Sequence, residues 1–184
     1  MRVAAVVLIL AAGCARDPVT AECPDIGPGD LVVTEIRGPQ DPEDLNGPWV
    51  ELFNASGGEI DLVGIKIRFR RKDGSSEVPV LVRHSVPLAA GGYAVLGDFA
   101  DAEKPAFASY GFADDYRVTW LSAAAVDVES CGTLIDRAIY DVLPDVGTYS
   151  LGGAPDSENN DLPASWCTDP NSAGTPGAMN VACP

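Results

Sequence analysis

The chain is poor in the side chains from which most enzyme sites are built. It holds one histidine, His84, and 12 lysines and arginines against 27 aspartates and glutamates, a formal net charge of −15. A lone histidine beside Arg83, near the end of a strand-like run, is more often inert than catalytic. No Gly-x-Ser-x-Gly, Walker loop or His-Glu-x-x-His occurs, so the familiar nucleophile, phosphate-cradle and zinc-protease patterns are missing. A carboxylate pair of the glycosidase kind stays open in so acidic a chain, yet no pair stands out among the many acids. The deficit of positive charge excludes DNA and RNA as natural partners. It equally disfavours electrostatic adhesion to anionic lipid. No apolar run approaches the ~20 residues of a bilayer-crossing helix, and no segment after residue 13 shows a sustained apolar period of 3.6.

What is present begins at the N-terminus. Met1 and Arg2 precede an apolar stretch, Val3 to Ala12, then Gly13 and Cys14. A short positive start, a short apolar core and small residues before the cysteine read as a secretory signal. Leu10-Ala11-Ala12-Gly13-Cys14 resembles the lipobox of bacterial lipoproteins, with Ala11 where leucine is usual. The resemblance implies cleavage before Cys14 and attachment of a diacylglycerol to its thiol. It divides the chain into a signal (residues 1–13), a lipidated cysteine with a Pro-, Gly- and acid-rich tether (14–29) and a domain (30–184). Two or more acyl chains suffice for stable anchoring. The implied location is the cell envelope, and the non-acidic Ala15 favours the outer over the inner membrane.

Cys23, Cys131, Cys167 and Cys183 remain. An even number in an exported chain reads as two disulfides, and four cysteines allow three pairings. Cys131–Cys167 with Cys23–Cys183 is the expected pair, because the second bridge would clasp the two ends of the domain. Their wide scatter, without a Cys-x-x-Cys, speaks against zinc.

The body of the chain is patterned as strands. Leu31–Ile36 is β-prone and stops at Gly38-Pro39. Trp49–Phe53 stops at Asn54-Ala55-Ser56-Gly57-Gly58. Ile65–Arg70 alternates strictly, apolar against basic. Asp73-Gly74 reads as a hairpin turn into Val78–Arg83. Tyr93–Leu96, Thr133–Tyr140 and Thr148–Leu151 complete the set, with a weaker candidate at Val118–Leu121. Asp98–Tyr116 reads as a long acidic surface loop, and Ala154–Pro184 as an irregular cover pinned by Trp166 and the cysteines. Many short strands with Gly/Pro turns predict a sandwich or barrel. Trp49 and Phe53 are expected in the core with Glu51 on the opposite face. Glu35 and Glu51 could be buried acids facing a basic partner such as Arg137, or could point to water.

In order and spacing these segments resemble the lamin-tail domain. Gly29–Ile36 is similar to its opening strand, with Thr34 in place of the usual Asn. Trp49-Val50-Glu51-Leu52-Phe53-Asn54 is similar to its most recognisable strand. Ile60-Asp61-Leu62-Val63-Gly64-Ile65 resembles its apolar-Asp-Leu-x-Gly-Trp turn, with Ile65 for Trp. Leu88-Ala89-Ala90-Gly91-Gly92-Tyr93 resembles its Leu-x-Pro-Gly-Gly-Tyr strand entry. Ile135–Tyr140 and Gly174-Thr175-Pro176-Gly177 resemble its last strands and its closure. The resemblance implies an all-β, immunoglobulin-like β-sandwich acting as a non-catalytic accessory module.

Two groups of residues are candidates for a site. Lys66, Arg68, Arg70, Arg71 and Lys72 concentrate five of the twelve basic residues in one hairpin arm. Such a stripe could grip an anionic polymer, a headgroup phosphate or an acidic partner. It could instead be a solvent face paired with acids such as Glu59 and Glu77, discouraging edge-to-edge aggregation. Acidic loops carrying Asp41, Glu43, Asp44 and Asn46, then Asp98, Asp101 and Glu103, then Asp156, Glu158, Asn159 and Asp161, are candidate calcium ligands. None fits the EF-hand spacing, and solvated acidic loops are the plainer account. The expected function is a non-catalytic binding or structural module held to the envelope by its acyl anchor, with an envelope protein or glycan as partner. The alternatives are a small envelope hydrolase with a carboxylate site and a calcium-dependent adhesion module.

Overall fold

Strict alternation makes Ile65–Arg70 a strand with one dry face. Ile65, Ile67 and Phe69 are buried, while Lys66 and Arg68 are only partly covered. The same rule builds the rest of the computed structural model, which describes residues 22–41, 44–114, 120–121, 123–171 and 173–184. The signal and Cys14 lie outside the described residues. The strands are β1 (Leu31–Arg37), β2 (Trp49–Asn54), β3 (Ile60–Asp61), β4 (Ile65–Arg70), β5 (Val78–Leu81), β6 (Pro87–Leu88), β7 (Tyr93–Gly97), β8 (Tyr110–Gly111), β9 (Ala124–Ser130), β10 (Thr133–Tyr140), β11 (Thr148–Leu151) and β12 (Trp166–Asp169).

They form an immunoglobulin-like, all-β sandwich. One sheet has the order β12-β11-β1-β2-β7-β8, the other β10-β9-β4-β5, and β3 pairs with β6 in a small ribbon. Neighbours are antiparallel except β7 and β8. Between the sheets Val50, Leu52 and Leu96 meet Ile65, Ile67, Phe69, Val126 and Val128. Burying each such side chain contributes roughly 1.5–3 kcal/mol. A second cluster covers the outer face of the larger sheet, where Trp49, Val95 and Ala108 pack with Phe99 and Phe107. The segment 98–111, expected to be a surface loop, therefore folds inward through its aromatics. It adds a 3-10 turn at Asp101–Glu103 and strand β8.

Three expectations about the strands change. Strand β9 was not foreseen: Ala124-Ala125-Val126-Asp127-Val128-Glu129-Ser130 pairs with both β4 and β10 and is central in its sheet. Two alanines and two acids hide it. Of the candidate Val118–Leu121, residues 118 and 119 lie outside the described residues, and Trp120 and Leu121 pack against the core without joining a strand. Glu51 shares its face with Trp49 and Phe53, as the period of two demands; Val50 and Leu52 are the ones that turn to the inter-sheet core.

The disulfides pair Cys23 with Cys131 and Cys167 with Cys183, not Cys131 with Cys167 and Cys23 with Cys183. The reason is positional. Cys131 lies in the β9–β10 turn at the end of the sandwich where the chain enters, and Cys167 lies on the edge strand crossed by the C-terminal segment. Both bridges span Cα–Cα 5.6 Å. Residues 22–29, read as tether, lie against the sandwich: Ile26 packs on the core, and Ser130 Oγ donates to Pro24 O at 3.0 Å. A Cβ at Gly64, whose φ is +86°, would overlap the carbonyl of Glu22. Peptide mapping without reduction should recover Cys23–Cys131 and Cys167–Cys183 as linked fragments; a Cys131–Cys167 fragment would overturn this arrangement. Loop-closure entropy makes the first bridge the costlier to lose, because it spans 108 residues against 16. Urea unfolding should show a loss of about 4.7 kcal/mol for the Cys23→Ser, Cys131→Ser double variant and about 3 for the Cys167→Ser, Cys183→Ser one.

Candidate functional site

The basic stripe occupies the outer face of the four-stranded sheet. Register sets Arg68 opposite Asp127 and Lys66 opposite Glu129 on β9, and Arg137 of β10 opposite Asp127 from the other side. Asp127 has no exposed surface. It accepts from Arg70 Nε at 2.6 Å, Arg137 Nε at 2.6 Å and Arg68 Nη2 at 3.2 Å. Burial alone would raise its pKa, but the hydrogen bonds and charges of Arg137 and Arg70 prevail and hold it below the ordinary aspartate value. Arg68 also reaches Glu129 at 2.8 Å and Glu77 at 3.4 Å. Lys72 pairs with Asp141, and Arg71 Nε donates to Ser76 Oγ at 3.4 Å. The stripe is thus countercharged in place. Glu77 is among its partners, while Asp127 and Glu129, on the unforeseen strand, meet Lys66, Arg68 and Arg70.

The outer face of the six-stranded sheet carries a different arrangement. Glu35 of β1 and Glu51 of β2 are direct cross-strand partners, and neither is exposed. Their donors are hydroxyls and backbone amides. Glu35 accepts from Thr148 Oγ1 at 2.5 Å, Ser150 Oγ at 3.0 Å, and Thr175 N and Oγ1 at 3.2 Å each. Glu51 accepts from Thr34 Oγ1 at 2.8 Å and Gly177 N at 2.6 Å. Burial raises both pKa values, Glu51 to about 8 with the nearby Glu35 charge adding to the rise. Arg137 does not meet them, since it sits on the other sheet against Asp127. The Gly-Thr-Pro-Gly closure marked this place in the sequence without saying that it serves two acids. Gly174, at φ +68°, is required there, because a Cβ would come within 2.7 Å of Glu35 Oε1.

Another buried acid, Asp136, repairs backbone irregularity. The ladders of β1 and β10 shift between Val33 and Glu35 and between Leu134 and Asp136. Asp136 Oδ2 accepts the Val33 amide at 2.6 Å and Asn160 Nδ2 at 2.7 Å. Burial outweighs these bonds and pushes its pKa up to about 6. A shallow cleft of about 410 Å³ opens beside it, lined by Gly29, Arg137, Ser157 and Asp161.

Three of the calcium candidates are engaged with groups of the protein itself. Asp44 accepts from Arg37 and from the Asn46 amide. Asp101 accepts from the Gly111 amide at 2.8 Å and lies 3.0 Å from His84 Nε2. Asp156 Oδ1 caps the amides of Glu158 and Asn159. Glu43 lies outside the described residues. Among the described residues no group of three or more His, Cys, Asp or Glu is placed to hold a metal ion. His84 is half exposed, packed on the Tyr110 ring with centroids 5.0 Å apart. Neither a protein-family model nor a curated protein matches the chain.

The arrangement around Asp127 is testable. Its lowered pKa means that the stabilisation is present above the unfolded value of 3.8 and is lost as pH falls through the folded value. Asp127→Asn should cost about 3 kcal/mol in urea unfolding at pH 7, because the arginines lose their buried counter-ion. At pH 3 the gap between variant and wild type should narrow.

Proposed function

We propose that this protein is a lipid-anchored, non-catalytic binding or structural module of the bacterial cell envelope, built on a lamin-tail-like sandwich. The observation that carries the reading is the lipobox-like Leu10–Cys14, followed shortly by Cys23, which is bridged to Cys131 at one end of the fold. The chain between Cys14 and Cys23 reaches at most ~30 Å at full extension, so the end of the sandwich bearing the β9–β10 turn faces the lipid layer. By strand direction the opposite end carries the 38–48, 71–77 and 141–147 loops. Leu45, Val142 and Val146 stand out there at 91, 67 and 59% exposure. Gln40 Nε2 donates to Gly147 O at 2.5 Å and joins two of these loops.

Two features support interaction over turnover. The cross-strand carboxylates Glu35 and Glu51 are sealed beneath the C-terminal segment. On the interior strand β4, Arg68 and Arg70 are held by carboxylates of their own sheet, Asp127 and Glu129, which leaves less of the stripe free to grip an anionic ligand. The partner is an envelope protein or a neutral glycan reached through the outward loops, and the outer membrane is the favoured site. Cys14→Ala should abolish incorporation of radiolabelled palmitate and move the protein to the soluble fraction. Persistent labelling would refute the anchor.

A further inference from the structure

We infer that the C-terminal segment 173–184 is a pH-operated strap, closed over the larger sheet while one carboxyl of the Glu35–Glu51 pair holds a proton, and loosened when both ionise. The inference does not depend on the lipid anchor.

The geometry sets the conflict. Directly opposed residues of an antiparallel pair have Cβ atoms roughly 4.5–5.5 Å apart, and like charges that close in a dry site cannot both form cheaply. The strap brings donors but no cation. Its residues, Ala173 to Pro184, include no basic or acidic side chain, and Cys183 is bridged. Among the described residues, the other elements around the pair offer no neutralising charge. On β1, Arg37 is committed to Asp44 and Gly47 O at 2.5 Å each and to Gln40 at 2.8 Å. On β7, Tyr93 is a neutral phenol whose own ionisation burial and Glu51 oppose. On β11, Thr148 and Ser150 give hydroxyls alone.

The donors are shared unequally. Glu35 has two hydroxyls from β11 and the Thr175 amide and hydroxyl, whereas Glu51 has one hydroxyl and the Gly177 amide. Glu51 is therefore the member that keeps its proton; with that proton on Oε1 the hydroxyl bond reverses, the acid donating to Thr34 Oγ1, while Oε2 still accepts from Gly177. Loss of that proton leaves two buried anions whose remaining relief is water, and water enters only if Gly174–Gly177 lifts.

The movement stays local. Past the lifted turn, Asn180 Nδ2 donates to Thr34 O at 2.7 Å and Leu151 O at 3.1 Å, and Cys183 is bonded to Cys167 on β12. The sign follows from the raised values. The closed state is fully favoured below the ordinary glutamate value of 4.5 and loses ground as pH rises toward about 8. Over that window the opening equilibrium grows by up to tenfold per pH unit, then levels off.

Amide hydrogen exchange on the disulfide-intact protein reads this directly. After correction for intrinsic exchange, protection at Thr175 and Gly177 should fall at least ~100-fold between pH 5 and 8, while Ile67 and Val128 in the core stay constant. Glu51→Gln mimics the protonated acid, its amide donating to Thr34 and its carbonyl accepting from Gly177, and should flatten the profile. A flat wild-type profile, or a variant that keeps the wild-type slope, would overturn the inference. Should the variant not fold, carbon-13 titration of the wild-type glutamate carboxyls decides the matter: both ionising below about pH 5 refutes the latch.

Discussion

Carboxylates out of reach of water shape this molecule more than any other feature. Asp127, Glu35, Glu51 and Asp136 are all buried, and an ionised carboxyl away from water must be paired, hydrogen-bonded or protonated. Each is treated differently. Asp127 gathers three guanidinium groups and becomes the hub of one sheet face. Asp136 takes a strand amide that a bulge leaves without its ladder partner. The glutamate pair recruits a strap of chain that would otherwise have no reason to cross the sheet. The topology is that of an ordinary sandwich; the loops and tail lie where these acids need donors.

Much of this was readable in the chain. Ile65–Arg70, Thr133–Tyr140 and Thr148–Leu151 alternate or carry β-branched residues strongly enough that their bounds were legible to the residue. β9 was not, because it opens on two small alanines and carries the acids Asp127 and Glu129 on its outward face, a composition that strand propensity disfavours. It becomes a central strand because Lys66, Arg68, Arg70 and Arg137 on its neighbours pay for Asp127 and Glu129. The basic stripe was therefore half of a pattern whose acidic half lay ~60 residues away in sequence, too far for local reading. The disulfide pairing was illegible for a similar reason: it depends on which end of the sandwich each cysteine reaches.

The two bridges divide the work between the ends of the chain. Cys23–Cys131 fastens the entry of the chain to a turn of the smaller sheet, so a pull on the chain ahead of Cys23 is borne at that turn before it reaches the hydrogen bonds of β1. Cys167–Cys183 fastens the exit to the edge of the larger sheet. A sandwich of this size buries enough apolar surface to fold alone. The bridges are better understood as holding the two terminal segments against it, each of which covers polar backbone more than apolar core.

That distinction decides how the strap can move. Beneath Gly174–Gly177 lie carboxyls and hydroxyls, while the apolar contacts of Val50, Leu52, Ile67 and Val128 are on the far side of the sheet. Lifting the strap hydrates polar groups and exposes little hydrocarbon, so its cost is set by hydrogen bonds and one proton, not by the core. Local opening of this kind sits well below global unfolding in free energy. The sheet that presents Glu35 beside Glu51 is held by its strand ladders, whereas the Gly174–Gly177 turn is held over the pair by the hydrogen bonds of Thr175 and Gly177. Any stress between the two charges is therefore relieved in the strap, and the sandwich beneath is left unchanged.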